Sequence, residues 1–478
     1  MTDQTNARKN KITLSDYDYQ RDIENRLFMA QLDASDIHVL EEILYSSITI
    51  SIKKLSKTLD IPEAKLRLCL EKIEKTKLFT ISGEILLVDK EMRKYYESQL
   101  LKFDKDFKPG MDFLQSLLRK VPIHVLPTWY SIPRTSNNIF DSITEKYLYT
   151  PQIFQRYLME LTFDEPILSN IIQDVYQAPN CILSAQKLIE KYHLSKEQFE
   201  EYMLILEFSF VACLGYTQEG EHLVEQVSPF HEWAEFLRFA HNTIPEAIKE
   251  ESQIEIFRSN PFSFIQDMSA ILTAAKKKPL SLTIPPSGNF SFEEGKLAEI
   301  LSEAENLHEK DPQVIAYIRR LIEKLRLIKL AEIIDGRLYA LESAAHFLDM
   351  REENRAIHLF RHPINQLKPG SVNPHLYTER NLREAEKSIN RVLYSGWILF
   401  DDFVKGVIIP LSDESAVVLK KIGKTWKYTL PEYTEEEYAF IRETVLEWLY
   451  EAGIVMKGVI QGKACFCVTP FGQSLFSK

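Results

Sequence analysis

Six apolar positions recur in register, without a gap, at a spacing of 133 residues. Leu55, Ile61, Leu66, Leu70, Ile73 and Leu78 correspond to Leu188, Leu194, Phe199, Met203, Leu206 and Val211. An apolar pattern of this kind belongs to a repeated unit with its own small core, not to one large core. At 478 residues the chain is long enough for several such units.

The local order within each unit follows from its spacing. In the first, Ile37, Leu40, Ile43 and Leu44 have helical spacing, Ile52 to Leu59 reads as a second helix, and Asp60-Ile61-Pro62 is a turn. Pro62 suits the first position of a third helix, where its missing N–H is harmless. Phe79-Thr80-Ile81 and Ile85-Leu86-Leu87-Val88 flank Ser82-Gly83 and predict a tight hairpin. The second unit repeats this order, with Ser195 as a helix cap and a hairpin turning at Glu219-Gly220.

Two more units follow. In the third, Leu280 to Ile284 predicts a strand and Phe292 to Leu307 a helix. Asp311-Pro312 opens another helix, whose predicted core face is Ile315, Ile318, Leu321, Ile322 and Leu325. Asp335-Gly336 supplies the positive φ angles of a type I′ hairpin. In the fourth, Leu382 to Leu393 and a stretch within Trp397 to Val407 predict helices. Strand-like runs then lie between Ile408 and Tyr433. The third helix is Glu435 to Tyr450, with Tyr438, Ile441, Val445, Trp448 and Leu449 toward the core, and a hairpin turns at Gln461-Gly462.

Helix, helix, turn, helix, hairpin is the winged-helix order. The expected fold is therefore mainly α with small antiparallel β-hairpin wings, a tandem winged-helix multidomain protein. The expected boundaries are a polar N-terminal tail (1–32), winged helix 1 (33–99), a connecting segment (100–160), an acidic winged helix 2 (161–227), a helical connector (228–278), winged helix 3 with a basic third helix (279–348), a linker (349–378) and winged helix 4 with an acidic third helix (379–478). Pro285-Pro286-Ser287-Gly288-Asn289 and Pro369-Gly370-Ser371 read as loops.

Three short segments resemble a known family. Ile271-Leu272-Thr273-Ala274-Ala275 followed by Pro279-Leu280-Ser281-Leu282-Thr283, and Ser395-Gly396-Trp397-Ile398-Leu399-Phe400-Asp401-Asp402-Phe403, resemble the openings of winged-helix modules in bacterial helicase-associated proteins. Val468-Thr469-Pro470-Phe471-Gly472-Gln473-Ser474-Leu475 is similar to their strand-then-helix ending. Such modules also occur in the winged-helix subunit that partners a helicase in the eukaryotic transcription and repair factor. The resemblance covers roughly residues 265–478 and implies protein or nucleic-acid binding beside a motor. It identifies no catalytic residue. The chain departs from the family in lacking a helicase, since it has no GxxxxGK[ST] loop.

Familiar chemical signatures are missing. The 15 glycines form no nucleotide fingerprint, His358 and His362 lack an HExxH, and there is no Gly-x-Ser-x-Gly elbow. Cys465 and Cys467 have no neighbours to complete a zinc set of about four ligands. No enzyme, cofactor or metal is expected. No apolar run reaches membrane-spanning length, and Met1 to Asn25 has no apolar signal core, so a cytoplasmic protein without membrane contact is expected. No small-molecule substrate is implied.

Charge separates the four units. Residues 161–260 hold 17 acidic residues against 6 basic ones and account for the whole net charge of −11. The third helices alternate: residues 62–77 carry +2, 195–209 carry −3, 312–329 carry +4 and 434–451 carry −5. In the third unit, Gln313, Arg320 and Lys324 lie opposite the predicted core, with Arg319 and Arg337 in reach of phosphates. These side chains suit nucleic acid. In the first, Lys65, Lys72 and Lys75 are weaker candidates, because Leu68 on the same face suggests a protein contact. Carboxylates repel phosphates. Glu197, Glu200 and Glu201 in the second unit and Glu436, Glu443 and Glu447 in the fourth therefore suit a basic protein surface or a neighbouring module. The expected function is an adaptor joining a protein partner, such as a helicase or transcription and repair machinery, to nucleic acid. The alternative is a purely protein-binding scaffold, such as an accessory subunit of a chromosome-organising complex.

Overall fold

The computed structural model describes residues 11–104, 107–134, 138–219, 222–283, 291–292, 300, 312–361 and 375–477. The chain divides into two compact units. One comprises Met1–Phe239 with Val417–Thr429, the other Ala240–Ala416 with Leu430–Lys478. The first and second modules share the first unit, and the third and fourth share the second. The fold is mainly helical with small antiparallel sheets. No described helix is long and apolar enough to cross a membrane.

All four modules have the same sheet topology. A short strand ahead of the second-helix position pairs with the second hairpin strand, which pairs with the first. This holds for Thr49–Ser51 with Phe79–Ser82 and Ile85–Val88, and for Leu183–Ser184 with Cys213–Glu219 and His222–Ser228. It holds again for Leu280–Thr283 with Ala331–Ile334 and Arg337–Ala340, and for Ile398–Leu399 with Val455–Ile460 and Lys463–Val468. The predicted Asp335-Gly336 and Gln461-Gly462 turns have positive φ at both residues, as a type I′ turn requires.

The third helices are Glu63–Ile73, Lys196–Phe208, Pro312–Leu327 and a continuous run from Glu435 to Glu451 that passes through a π-type turn at Thr444–Trp448. Each is followed by one left-handed residue before the hairpin: Lys77, Phe210, Lys329 and Gly453. The next residue is Leu78, Val211, Leu330 or Ile454, and each is buried. In the last three modules its N–H reaches back five residues, to the carbonyls of Leu206, Leu325 and Leu449. This is the Schellman stop, which satisfies end-of-helix carbonyls and turns the chain toward the sheet. The left-handed residues Asp60 and His193 that end the second helices also lie 133 residues apart.

Several boundaries differ from the sequence reading. Residues 1–32 include a helix, Tyr19–Met29, that buries Asp22, Ile23, Arg26 and Met29. Its buried face is half polar, so it reads as a polar tail. Ser263–Lys277, placed in a connector, packs with Pro312–Leu327 and Arg337–Ala340 and buries Phe264, Ile265, Met268, Ile271 and Leu272 in the same core. It takes the place of the third module's first helix. Glu255–Ile256, in the same connector, extends the fourth module's sheet. Phe292, expected to start a helix, is in a strand paired with Leu282. The rest of that predicted helix, apart from Ile300, and both proline-glycine loops lie outside the described residues, as does Gly220 of the second hairpin turn.

A left-handed lysine suffers the Cβ clash that glycine avoids. Lys329 and Lys77 are exposed at their left-handed positions. Lys329→Gly should raise the unfolding free energy by about 0.5–1 kcal/mol, read as a higher denaturation midpoint. An equal change from Arg326→Gly, within the helix, should have the opposite sign.

Candidate binding surfaces

The alternating charge of the third helices has a structural origin in three of the four modules. In the second module, Glu200 and Glu207 are completely buried. Arg26 donates from Nε to Glu200 at 2.7 Å and from Nη1 to Glu207 at 2.9 Å. Lys102 donates to Glu207 at 2.9 Å. Beside them, Lys120 donates to both oxygens of the buried Asp22 at 2.9 and 3.0 Å, and Tyr95 donates to Asp22 at 2.7 Å. Lys196 pairs with Glu200 at 3.0 Å and also with Glu225. Burial alone would raise the Glu207 carboxyl. Arg26 and Lys102 more than reverse that and hold it far below the usual carboxylate range. Its ionised form is therefore stabilising above the ordinary value of 4.5, and that contribution is lost as pH falls.

The third and fourth modules pair with each other in the same way. Arg320 donates to Glu451 at 2.5 Å and to Glu443 at 3.5 Å, and lies 3.8 Å from Glu447. Lys324 pairs with Glu451 at 3.0 Å and sits over the Trp448 ring, 5.2 Å from its centroid. Glu443, Glu447 and Glu451 all meet Arg320, so they share one face of the helix. Lys457 pairs with Glu447 at 2.7 Å, and Tyr377 donates to Glu443 at 2.6 Å. The Glu451 carboxyl is buried, yet Arg320 and Lys324 hold it below the usual range.

These contacts correct the assignment of Arg320 and Lys324 to nucleic acid. Lys324 is buried and Arg320 is largely covered, and both are engaged by carboxylates. Arg320 and Lys324, expected opposite the core, thus face carboxylates inside the unit, while Ile315, predicted to be core, is exposed. Glu200, Glu443 and Glu447 are likewise internal partners and not outward protein contacts. Glu197 and Glu436 are exposed, and Glu201 is half-buried with its carboxyl raised by burial and by Glu197. Arg319 is half-exposed and paired with Glu323 at 2.9 Å, and Arg337 is exposed. The Gln313 side chain lies outside the described residues.

The first module's third helix is arranged differently. Lys65, Leu68 and Lys75 are exposed, Leu68 at 69%. Lys72 pairs with Asp36 of the module's own first helix, and Arg67 bridges Glu63 and Glu84. Lys65 and Lys75 make no ion pair among the described residues. The result is an outward face of mixed cationic and apolar character.

Sequence reasoning missed Arg26, Lys102 and Lys120, the partners of the buried carboxylates, and Asp22, one of those carboxylates. Arg26 and Asp22 lie in the helix read as a tail, and Lys102 and Lys120 in a connecting segment. Among the described residues no group of three or more His, Cys, Asp or Glu side chains is placed to hold a metal ion, and all five cysteines are free thiols. Comparison with known proteins returns no matching family model, no matching characterised protein and no matching solved structure.

Removing one member of a buried ion cluster leaves its partners charged and dry. Arg26→Leu should destabilise the first unit by about 3–5 kcal/mol, measured by chemical denaturation. A loss below about 1 kcal/mol, the range of an exposed pair, would contradict the role assigned to Arg26.

Proposed function

We propose that this chain is a non-enzymatic tandem winged-helix adaptor whose first module offers its third helix to a protein partner. The observation that carries this reading is a contrast among the four third helices. Three carry charged side chains engaged in internal ion pairs between or beside modules, whereas the first pairs Lys72 with its own Asp36 and leaves Lys65, Leu68 and, just past the helix, Lys75 to solvent. An exposed leucine flanked by Lys65, Lys72 and Lys75, with Glu71 beside them, suits a segment with an apolar anchor and flanking carboxylates. The apolar contact supplies affinity, and the charges supply orientation and association rate. A helicase or a component of transcription or repair machinery is the partner class that the resemblance of residues 265–478 implies for the chain, and that resemblance does not extend to the first module.

A second reading is a protein-binding scaffold with no nucleic-acid contact. It is favoured by one specific observation, the engagement of Arg320 and Lys324 with Glu451. On either reading the partner surface of the first module is the same.

Affinity capture from the native cell, with the full chain as bait, tests the reading. One partner should be retained by the parent chain and lost by Leu68→Glu combined with Lys65→Glu and Lys75→Glu. Glu197→Lys with Glu436→Lys should retain it. If the triple variant captures the same proteins in the same amounts, the assignment of the first module's third helix is wrong.

A further inference from the structure

The segment Val417–Thr429 leaves the fourth module between its second and third helices and belongs to the first unit. It holds four lysines and no acidic residue: Lys420, Lys421, Lys424 and Lys427. It forms a two-stranded hairpin, Leu419–Ile422 with Thr425–Tyr428, that turns through Gly423-Lys424. Side chains alternate across such a ribbon. The inner face holds Leu419, Lys421, Trp426 and Tyr428. Leu419 and Tyr428 are buried, Tyr428 donates to the Leu148 carbonyl at 2.8 Å, and the Leu419 N–H reaches the Tyr149 carbonyl at 2.8 Å. Trp426 meets Phe140 edge to face, and Lys421 pairs with Asp112 at 3.0 Å. The hairpin is thus anchored along one face.

The other face has no such partner. Lys420 and Lys427 stand directly opposite each other in the ladder, with Ile422 and Thr425 as the next pair and Lys424 at the turn. All five are exposed, and the three lysines make no ion pair among the described residues. Like charges directly opposite on adjacent strands are destabilising. An arrangement that holds two ammonium groups on one anchored ribbon face and a third at its turn is complementary to closely spaced anions.

We propose that this hairpin is a nucleic-acid contact, with Lys420, Lys424 and Lys427 binding backbone phosphates. The inference goes beyond the first-module reading and does not depend on it. A two-stranded ribbon has the width to enter a duplex major groove, and phosphate contacts need only positive charge at the right spacing. Ile422 is the single apolar side chain on this face, too little for insertion into a bilayer or for the buried anchor of a protein interface. The nucleic-acid contact therefore moves from the third helices, where the sequence suggested it, to a ribbon between two of the fourth module's helices.

The test compares the full chain with Lys420→Gln, Lys424→Gln and Lys427→Gln combined. A control carries the same charge loss at the exposed run Lys276, Lys277 and Lys278. Fluorescence anisotropy with a labelled mixed-sequence duplex of about 30 base pairs, at about 50 mM salt and upward, is the readout. The parent should bind with an affinity that falls steeply with salt. The hairpin variant should lose at least about tenfold and flatten the salt slope by about two to three, at a melting temperature no lower than the parent's, and the control should stay within about threefold. The proposal is overturned if the parent binds neither duplex nor single strands. It is also overturned if the hairpin variant binds as the parent does, or if the three lysines govern binding to anionic vesicles and not to nucleic acid. The hairpin variant should still capture the protein held by Leu68, so failure of this inference and failure of the first-module reading are separable.

Discussion

Buried ion pairing of the acidic third helices is the interaction on which the rest of this architecture depends. Glu207 is completely buried and receives Arg26 and Lys102, and Glu451 is buried and receives Arg320 and Lys324. A carboxylate taken out of water loses several kcal/mol of hydration, and a single partner rarely restores it. Here two cations meet each of these carboxylates and keep it ionised, although burial lowers the Lys324 ammonium below its usual range. In the first unit, Asp22, Glu200 and Glu207 face Arg26, Lys102 and Lys120, three charges of each sign. Such a cluster is tolerable only when complete, so it fixes how the elements that carry it pack together.

This arrangement explains why the chain is acidic where it is. The negative charge of the second module looks like a surface property in the sequence. Yet its most central carboxylates are internal, and the same holds for Glu451 in the fourth module. The surfaces proposed for partners are smaller and more local: the first module's exposed Leu68 with its lysines and the lysine ribbon at 419–428. Both are in the first unit, whereas Arg320 and Lys324 of the second unit's basic helix are held by internal carboxylates.

Much of the fold was legible in the sequence because backbone demands repeat. The apolar positions from Leu55 to Leu78 recur from Leu188 to Val211, and both sets are core or line it. Asp335-Gly336 and Gln461-Gly462 announced their turns. The helix stops were less legible, because Lys77, Phe210 and Lys329 occupy left-handed positions where glycine would have marked them. The Tyr19–Met29 helix was hidden for a related reason. Its buried face includes Asp22 and Arg26, and a periodicity of apolar residues cannot register buried charge. The alternation of charge among third helices was visible, and packing between modules was one of its readings. The specific partners were not visible, since pairs such as Arg26 with Glu207 join residues far apart in the chain. The hairpin at 419–428 was seen only as strand-like runs, and its charge had no meaning until the ladder placed Lys420 opposite Lys427.

The central claim is that Glu200, Glu207, Glu443 and Glu451 of the acidic third helices are internal partners of basic side chains and not external contacts. The most direct measurement is a double-mutant cycle on Arg320 and Glu451, using Arg320→Met, Glu451→Gln and the pair, with unfolding free energies from denaturant titration. Direct contact in a buried cluster predicts a coupling energy of about 1–3 kcal/mol, with the double variant more stable than the sum of the single losses implies. Additive single losses, with a coupling within about 0.3 kcal/mol of zero, would contradict it and return both side chains to the surface.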